Sequence, residues 1–288
     1  MTKIPVISCK NVWKIFGPNP EKYLAGMPAT HSYDDIRSDG YIAGVKDVTL
    51  DVAPSEILVI MGLSGSGKST TARVITGLLP QLSGTIEFDG EALPKQLEDR
   101  SKEQKRIIQM IYQMADTAMN PRQTVREIIG RPLEFYLDLK GKEKEKRILE
   151  LLEMIELDGQ FIDRLPSELS GGQKQRICIA RALAADPEFI ICDEVTSALD
   201  QIVQEGILKL LMRLQKELNL TYLFITHDIS TVRAISDHVV VMNLGEVVEQ
   251  GLKSDVFSPP HPNYTELLLS SVPEMDPDWL NNLNKKRD

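Results

Sequence analysis

The sequence has few cysteines and no long apolar segment, and each shortage excludes a class of protein. Its three cysteines, Cys9, Cys178 and Cys192, lie far apart and form no CxxC pair, so neither a zinc site nor a disulfide framework is predicted. Reduced thiols in a cytosolic protein fit this pattern. No apolar run approaches the roughly 20 residues of a membrane-spanning helix, and the N-terminus has no signal-peptide-like segment. We therefore expect any membrane role to be indirect.

Positive charge is also in short supply. The 288 residues include 33 Lys and Arg against 42 Asp and Glu, a net charge of −9. Proteins that bind DNA or RNA without sequence preference need clustered positive charge, and direct binding to anionic lipid has the same requirement. We therefore predict no nucleic-acid partner. Hydrophobic residues make up 42% of the chain, which suffices for the core of one large domain.

Apolar segments alternate with amphipathic helical segments along most of the chain. Several of these segments are apolar throughout, which is typical of strands covered on both faces. The pattern predicts an α/β core with a largely parallel sheet. The predicted strands are Ile57–Met61, Ile107–Tyr112, Phe189–Cys192, Tyr222–Thr226 and Val239–Met242.

Three regions depart from this alternation. Residues 124–168 show no strand pattern, and apolar residues recur there at helical spacing, so a helical insertion is predicted. Residues 17–43 are punctuated by proline and glycine, which predicts a loop with one short helix. The tail beyond Ser258 predicts a short helix near Thr265–Ser270 and then a polar end that frays.

A phosphate-binding loop is the most specific motif. Residues 62–69 fit GxxxxGK[ST] and lie between the strand Ile57–Met61 and a helical segment, Thr70–Leu78, which is the context that the motif requires. Glycines let backbone N–H groups turn towards phosphate oxygens, and the helix N-terminus adds partial positive charge. The lysine is expected to reach the β- and γ-phosphates of ATP, and the serine to bind Mg²⁺. The predicted contacts are Gly62, Ser64, Gly65, Ser66, Gly67, Lys68, Ser69 and Thr70.

Two carboxylates directly follow the predicted strand Phe189–Cys192. Because the carboxyl ends of parallel strands open onto the ligand crevice, we expect Asp193 near Ser69, where it would hold Mg²⁺ directly or through water. Glu194 is placed to orient or deprotonate an attacking water. Apolar strands often end in acids, so this pair takes its meaning from the phosphate-binding loop in the same chain.

The segment Leu169–Arg176 reads LSGGQKQR and resembles the signature sequence of ABC ATPases. It lies between the two nucleotide motifs, as in that family, and begins a helical segment, Gln173–Ala185. The resemblance implies that Ser170, Gly171 and Gly172 cover the γ-phosphate of ATP held by an opposite subunit. Two ATP molecules would then lie between two cassettes in a head-to-tail dimer. The chain therefore needs a second ABC ATPase subunit, identical or related.

Further elements of the family have counterparts in this sequence. The resemblance implies that Gln113 senses Mg²⁺ and a membrane partner, and that His227 contacts the γ-phosphate. It also implies that the segment Ser197–Asp200 lies across the dimer interface, with Asp200 at the nucleotide site. With Glu194, Gln113 and His227 form the implied catalytic set.

An aromatic residue that stacks on adenine is also expected in this family. Phe16 matches it, Trp13 is the competitor, and packing in the core is the alternative role for either residue. One departure from the family is Val195, which stands where proline usually follows the glutamate. This change removes no catalytic group, so we expect the chain to hydrolyse ATP.

The resemblance covers nearly the whole chain and implies its architecture. We expect a P-loop NTPase (RecA-like) α/β core, an antiparallel β subdomain and an ABC helical subdomain at about 114–168. These would form one nucleotide-binding domain of residues 1–288, with a C-terminal tail at about 259–288. The implied cofactors are ATP and Mg²⁺, and the implied partners are integral membrane permease subunits and, indirectly, a solute-binding protein. The implied location is the cytoplasmic face of the inner membrane, as a peripheral subunit.

Two importer classes compete. From Ile108 onward the chain resembles the ATPases of oligopeptide, dipeptide and nickel importers, including the tail at 261–273. The first 70 residues, with their long insertion, resemble the ATPases of glycine betaine and proline importers. The helical insertion faces the transporter in this family and matches the peptide class, so we expect uptake of peptides or related small solutes. Many peptide-class members carry a cysteine cluster after the tail, which this sequence lacks, so no iron–sulfur cluster is implied.

Other kinds of ABC ATPase are the remaining alternatives. Soluble members in DNA repair or translation usually carry a long coiled-coil insertion, or two cassettes with a basic linker, and neither is present. A non-hydrolysing regulatory cassette is disfavoured by the intact Glu194 and His227. Exporters commonly fuse the cassette to membrane helices, although exporters with separate subunits exist.

Overall fold

Two β-sheets organise the chain in the computed structural model, which describes residues 4–28 and 30–271. The strands are β1 (Ile7–Phe16), β2 (Ile42–Val52), β3 (Ile57–Met61), β4 (Ser83–Phe88), β5 (Glu91–Ala92), β6 (Ile108–Ile111), β7 (Phe189–Asp193), β8 (Thr221–Ile225), β9 (His238–Asn243) and β10 (Glu246–Leu252). One sheet is antiparallel with the order β2-β1-β4-β5. The other has the order β10-β9-β3-β8-β7-β6, and its strands are parallel except for β10.

Helices cover the sheets and fill the region between β6 and β7. They are α1 (Pro20–Gly26), α2 (Tyr33–Ser38), α3 (Lys68–Ile75), α4 (Lys102–Ile107), α5 (Ala115–Ala118), α6 (Val125–Leu137), α7 (Gly141–Met154), α8 (Gly171–Leu183), α9 (Gln201–Leu218), α10 (Ile229–Ile235), α11 (Lys253–Val256) and α12 (Asn263–Ser270). Within the described ranges, each helix is either too short or too polar to span a bilayer.

The central sheet is buried on both faces. Alternate residues of β3 belong to different core clusters, Val59 to one and Leu58 and Ile60 to the other, because successive side chains of a strand point to opposite faces. This explains the continuous apolar segments, and the five strands predicted from them are confirmed. The ends differ by a residue or two, as at Ile107, which ends α4 rather than beginning β6.

The antiparallel sheet packs against the face of the central sheet that carries Leu58 and Ile60. Its buried residues, such as Val45 and Leu50, share a core cluster with Ala72 and Ile75 of α3 and with Ile60 of β3. The helix that follows the phosphate loop is thus enclosed between the two sheets. This packing fixes the start of α3 relative to both sheets.

Every secondary-structure element between Met114 and Leu165 is a helix, and the region contains α5, α6 and α7. Helix α6 contains Pro132 and is capped by Thr124, whose hydroxyl accepts from the Glu127 N–H. It packs against α7 and α8. The boundaries of a separate helical subdomain, and the extent of the single domain, remain predictions.

The insertion at 17–43 contains two helices where the sequence predicts one. Helix α1 begins at a proline, and α2 begins at a capping box of Ser32 and Asp35. Neither is long enough to show a helical repeat in the sequence, so the pattern missed one of them. The Tyr23 and Tyr41 rings stack with centroids 3.8 Å apart, and Ile36 is fully buried, which anchors the insertion.

The C-terminal tail folds as predicted where it is described. Helix α12 contains the predicted helix Thr265–Ser270 and begins two residues earlier. The polar end of the tail and the family-like residues Val272 and Pro273 lie outside the described residues.

Candidate functional site

Four predicted motifs lie at one edge of the central sheet. The parallel strands β3, β6, β7 and β8 end at residues 61, 111, 193 and 225. The chain leaves these ends directly into the phosphate loop, Gln113, Glu194 and His227. Because the strands are parallel, residues that are far apart in sequence meet at one edge.

The phosphate loop needs glycine at two of its positions for steric reasons. Gly62 has φ of 152°, and a Cβ there would lie 2.2 Å from the Met242 carbonyl oxygen. Gly67 has φ of 105°, and a Cβ there would lie 2.5 Å from the Gly44 carbonyl oxygen. Only glycine fits such positions without strain. The backbones of β9 and β2 therefore approach the loop too closely for a side chain at either position.

Lys68 lies buried inside the loop. Its Nζ donates to the carbonyl oxygens of Gly62 and Leu63, both at 2.9 Å. Burial lowers the pKa of Lys68, while the nearby carboxylates of Glu194 and Asp193 oppose that shift. The ammonium group is thus held over the loop, where phosphate oxygens would lie.

Ser69 and Asp193 form the predicted metal-binding pair. The Ser69 hydroxyl donates to Asp193 Oδ1 at 2.9 Å. Burial raises the pKa of Asp193, and the hydrogen bond from Ser69 opposes this shift. A buried carboxylate in this situation favours a nearby cation.

These residues fit Mg²⁺ better than a metal with an all-protein ligand set. Among the described residues, no group of three or more His, Cys, Asp or Glu side chains could hold a metal ion. Mg²⁺ typically uses one or two protein oxygens together with substrate phosphates and water. Ser69 and Asp193 provide two such oxygens beside the phosphate loop.

Glu194 lies at the centre of a hydrogen-bonded cluster. Gln113 Nε2 donates to its Oε2 at 2.8 Å, and His227 Nδ1 lies 3.3 Å from its Oε1. The backbone of Glu194 has φ of 48°, in the left-handed region. The three residues predicted to be catalytic are therefore brought together, with one side chain on each carboxylate oxygen of Glu194.

Ser197 belongs to the same cluster, although it was not among the predicted site residues. Its hydroxyl accepts from Gln113 Nε2 at 3.2 Å and donates to the Glu194 carbonyl oxygen at 3.0 Å. The sequence feature that could have indicated Ser197 is the resemblance of the segment Ser197–Asp200 to a motif of the family. The bond to Gln113 spans 84 residues of sequence, so no local pattern predicts it.

The signature segment begins helix α8 as a capping box. The Ser170 hydroxyl accepts from the Gln173 N–H at 3.3 Å, and Gln173 Oε1 accepts from the Ser170 N–H at 2.9 Å. A Cβ on Gly172 would lie 2.6 Å from the Val203 side chain, so this glycine lets α8 approach α9 closely. In the part of the chain that the structure describes, no hydrogen bond joins 170–172 to the phosphate loop.

Asp200 has a structural role that the family resemblance did not specify. Its carboxylate accepts from the Val203 N–H at 3.1 Å and caps helix α9. The structure therefore places Asp200 next to the signature segment, through Val203. A contact of Asp200 with nucleotide remains a prediction.

Phe16 is better placed than Trp13 to stack on a base. A Cβ built on Gly44 would lie 2.6 Å from the Phe16 ring and 3.0 Å from Thr70 Cγ2, so the ring lies beside the first turn of α3. Phe16 is 37% exposed. Trp13 instead pairs with Ser83 in the register of β4.

Ile42 is a second candidate beside Phe16 that the sequence did not indicate. The two residues are direct partners in the antiparallel pair of β1 and β2, so their side chains point to the same face. Ile42 is 57% exposed. Together the two side chains offer an apolar platform next to the start of α3.

Comparison with known proteins identifies the family. The family model for ABC transporter matches residues 45–197. The oligopeptide transport ATP-binding protein OppF of Bacillus subtilis is 44% identical over 245 residues, covering 84% of this chain and 80% of OppF. The trimethylamine N-oxide transport system ATP-binding protein TmoW of Ruegeria pomeroyi is 41% identical over 272 residues, covering 93% of this chain and 78% of TmoW.

A solved structure supports the same assignment. The dimeric, post-hydrolysis state of the ATP-binding cassette MJ0796, bound to ADP and Pi, has a TM-score of 0.69 and 32% identity. The match covers 85% of this chain and 98% of that cassette. The predicted P-loop NTPase fold and the resemblance to ABC ATPases are confirmed, whereas the N-terminal likeness to glycine betaine ATPases stays a prediction. The chain belongs to the ABC transporter family, as one of its ATP-binding subunits.

Proposed function

We propose that this chain is one of two ATP-hydrolysing cassettes of an importer for peptides or related small solutes. The observation that carries the proposal is the cluster around Glu194. Gln113 and His227 contact its two carboxylate oxygens. Asp193, which accepts a hydrogen bond from Ser69, is the last residue of β7 and directly precedes Glu194. A base, an amide sensor and a metal-binding pair at one sheet edge suit hydrolysis of Mg²⁺–ATP.

Nucleotide binding uses groups that are already in place. Phe16 and Ile42 accept the adenine ring, and the amides from Gly65 to Thr70 surround the phosphates. Lys68 donates to the β- and γ-phosphates. The Ser69 hydroxyl and the Asp193 carboxylate hold Mg²⁺, which neutralises phosphate charge when bound.

Hydrolysis requires Glu194 to accept a proton from water. The water oxygen attacks the γ-phosphorus, and the bond between the γ-phosphorus and the β–γ bridging oxygen breaks. The products are ADP and inorganic phosphate. His227 donates to the γ-phosphate oxygens and stabilises their charge. Gln113 donates to one carboxylate oxygen of Glu194, so a movement of Gln113 would change how water can approach the base.

The signature segment supports a dimeric arrangement. Ser170 and the following glycines lie at the N-terminus of α8, whose 13 residues provide a helix dipole for an anion. The phosphate loop does not bond to this segment within the described chain. The ATP bound to the phosphate loop of a second cassette would occupy this anion site. In the same way, the ATP of this chain would contact the signature segment of the second cassette.

A groove next to β6, the strand that leads to Gln113, supports a membrane partner. It has a volume of about 520 Å³ and is lined by residues of β6, α6, α8 and the end of α5, including Gln109, Ala118, Phe135 and Arg181. Phe135 is 58% exposed. A cytoplasmic segment of a permease in this groove would contact the strand that leads to Gln113 and the helix that begins at the signature. Binding there would couple both nucleotide contacts to the membrane subunit.

The solute class rests on the relatives. OppF is named as an oligopeptide transport protein, which favours peptides. A methylated amine is the second candidate, because TmoW matches over 93% of the chain, a larger share than the 84% for OppF.

Uptake in a strain that lacks this chain tests the proposal. We expect loss of labelled tripeptide uptake, restored by the wild-type chain and not by Glu194→Gln. Loss of labelled trimethylamine N-oxide uptake alone would support the second candidate. Unchanged uptake of both solutes would contradict an import role for peptides and for amines.

A further inference from the structure

Helix α12 reaches the phosphate loop. The Leu63 N–H donates to the Tyr264 hydroxyl at 3.1 Å, across 201 residues of sequence. Tyr264 packs against the main core cluster, and Thr265 and Leu268 of the same helix are buried. The position of the hydroxyl is therefore set by the packing of the helix and not by the loop.

The peptide unit that bonds to Tyr264 also bonds to Lys68. Because a peptide bond is planar, the Gly62 carbonyl and the Leu63 N–H form one rigid group. The carbonyl oxygen accepts from Lys68 Nζ at 2.9 Å, and the N–H donates to Tyr264. Any rotation of this group would weaken both bonds together. The peptide unit thus links the tail helix to the ammonium group of Lys68.

This peptide needs a constraint from outside the loop. Gly62 has φ of 152°, a conformation in which glycine gains freedom that other residues lack. Leu63 is 52% exposed, so its side chain contributes little packing. The Leu63 carbonyl also accepts from Lys68 Nζ at 2.9 Å. The bond from Tyr264 comes from outside the loop, from a helix that is anchored by the buried Thr265 and Leu268.

We propose that Tyr264 is a positioning residue for Lys68. Its hydroxyl fixes the Gly62–Leu63 peptide, and that peptide holds the ammonium group where the β- and γ-phosphates bind. The inference rests on ATP binding at this loop and is independent of the transported solute. The C-terminal tail thereby takes part in nucleotide affinity.

The test is Tyr264→Phe, which removes the hydroxyl and keeps the ring that packs on the core. We expect the Kd for ATP to rise about fivefold, the equivalent of about 1 kcal/mol for one hydrogen bond. The kcat at saturating ATP should stay within about twofold, because the Glu194 cluster is untouched. The matched control is Tyr222→Phe, since the buried Tyr222 hydroxyl has no partner within the described chain. It should leave ATP affinity unchanged.

A comparison of nucleotides separates positioning from general damage. Lys68 is expected to contact the β- and γ-phosphates, so Tyr264→Phe should weaken ATP and ADP and leave AMP unchanged, measured by competition with a fluorescent ATP analogue. Equal weakening of AMP, or an unchanged Kd for ATP, would overturn the inference. If the wild-type chain bound no ATP, the proposed function would fail as well, and the two failures are thus distinguishable.

Discussion

At the scale of single residues, Glu194 combines a left-handed backbone with hydrogen-bond contacts from two side chains. A left-handed backbone costs a non-glycine residue on the order of 1–3 kcal/mol, and Glu194 has φ of 48°. Its N–H donates to the Ile225 carbonyl oxygen at 3.0 Å, which ties this conformation to β8. Val195, in the position of the usual proline, is buried in the core. The hydrogen bond to β8 therefore orients Glu194 without a proline at the next position.

The adenine contact can be tested one residue at a time. Stacking of a base on an aromatic side chain contributes about 1–3 kcal/mol, so Phe16→Ala should raise the Kd for ATP at least fivefold. Trp13→Leu is the control, because Trp13 pairs with β4, and its Kd should stay within about twofold. Isothermal titration calorimetry measures both. A larger loss for Trp13→Leu would assign the stacking role to Trp13 instead.

Site residues that belong to a sequence motif could be predicted, whereas residues that reach the site through contacts between distant segments could not. The phosphate loop, Asp193, Glu194, Gln113 and His227 follow from strand ends and family patterns. Ser197, Ile42 and Tyr264 enter the site through contacts between distant segments, such as the 201-residue span from Leu63 to Tyr264. Such contacts leave no local periodicity.

At the scale of elements, the start of helix α8 has two roles that can be separated. Ser170 caps α8 through a capping box, and Thr124 caps α6 through the same kind of box. Removing either hydroxyl should cost about 1 kcal/mol of unfolding free energy. In the proposed dimer, only the α8 cap also faces ATP of the other cassette.

Ser170→Ala and Thr124→Ala therefore form a matched pair. We expect similar losses of stability in urea unfolding for both variants. In the Glu194→Gln background, Ser170→Ala should also lose ATP-driven dimerisation in size-exclusion chromatography, while Thr124→Ala should keep it. Equal dimerisation of the two variants would assign Ser170 a capping role alone.

Some elements can be predicted from the local sequence pattern, and others depend on contacts with distant residues. The buried strands were predictable because their two covered faces produce unbroken apolar runs, as in β3 and β8. The two-residue strand β5 and the insertion helices α1 and α2 are too short for a periodic signal. Their positions depend on pairing with β4 and on the buried Ile36.

At the scale of the whole molecule, one half of each active site is expected to come from another copy or a paralogue. The phosphate loop, the metal pair and the Glu194 cluster share one sheet edge, while the signature segment lies at the start of a helix in a different part of the chain. ATP would join the two halves, because its terminal phosphate is anionic and both halves offer N–H donors and a helix N-terminus. Hydrolysis would remove that link and let the pair separate.

The molar mass of the Glu194→Gln chain with Mg²⁺ and ATP tests most directly whether ATP joins two cassettes. Light scattering coupled to chromatography should show a monomer without nucleotide and a dimer with ATP, either alone or mixed with a second cassette of the same importer. ADP in place of ATP should leave it monomeric, because ADP lacks the bridging phosphate. A chain that binds ATP and stays monomeric under all these conditions would contradict the account.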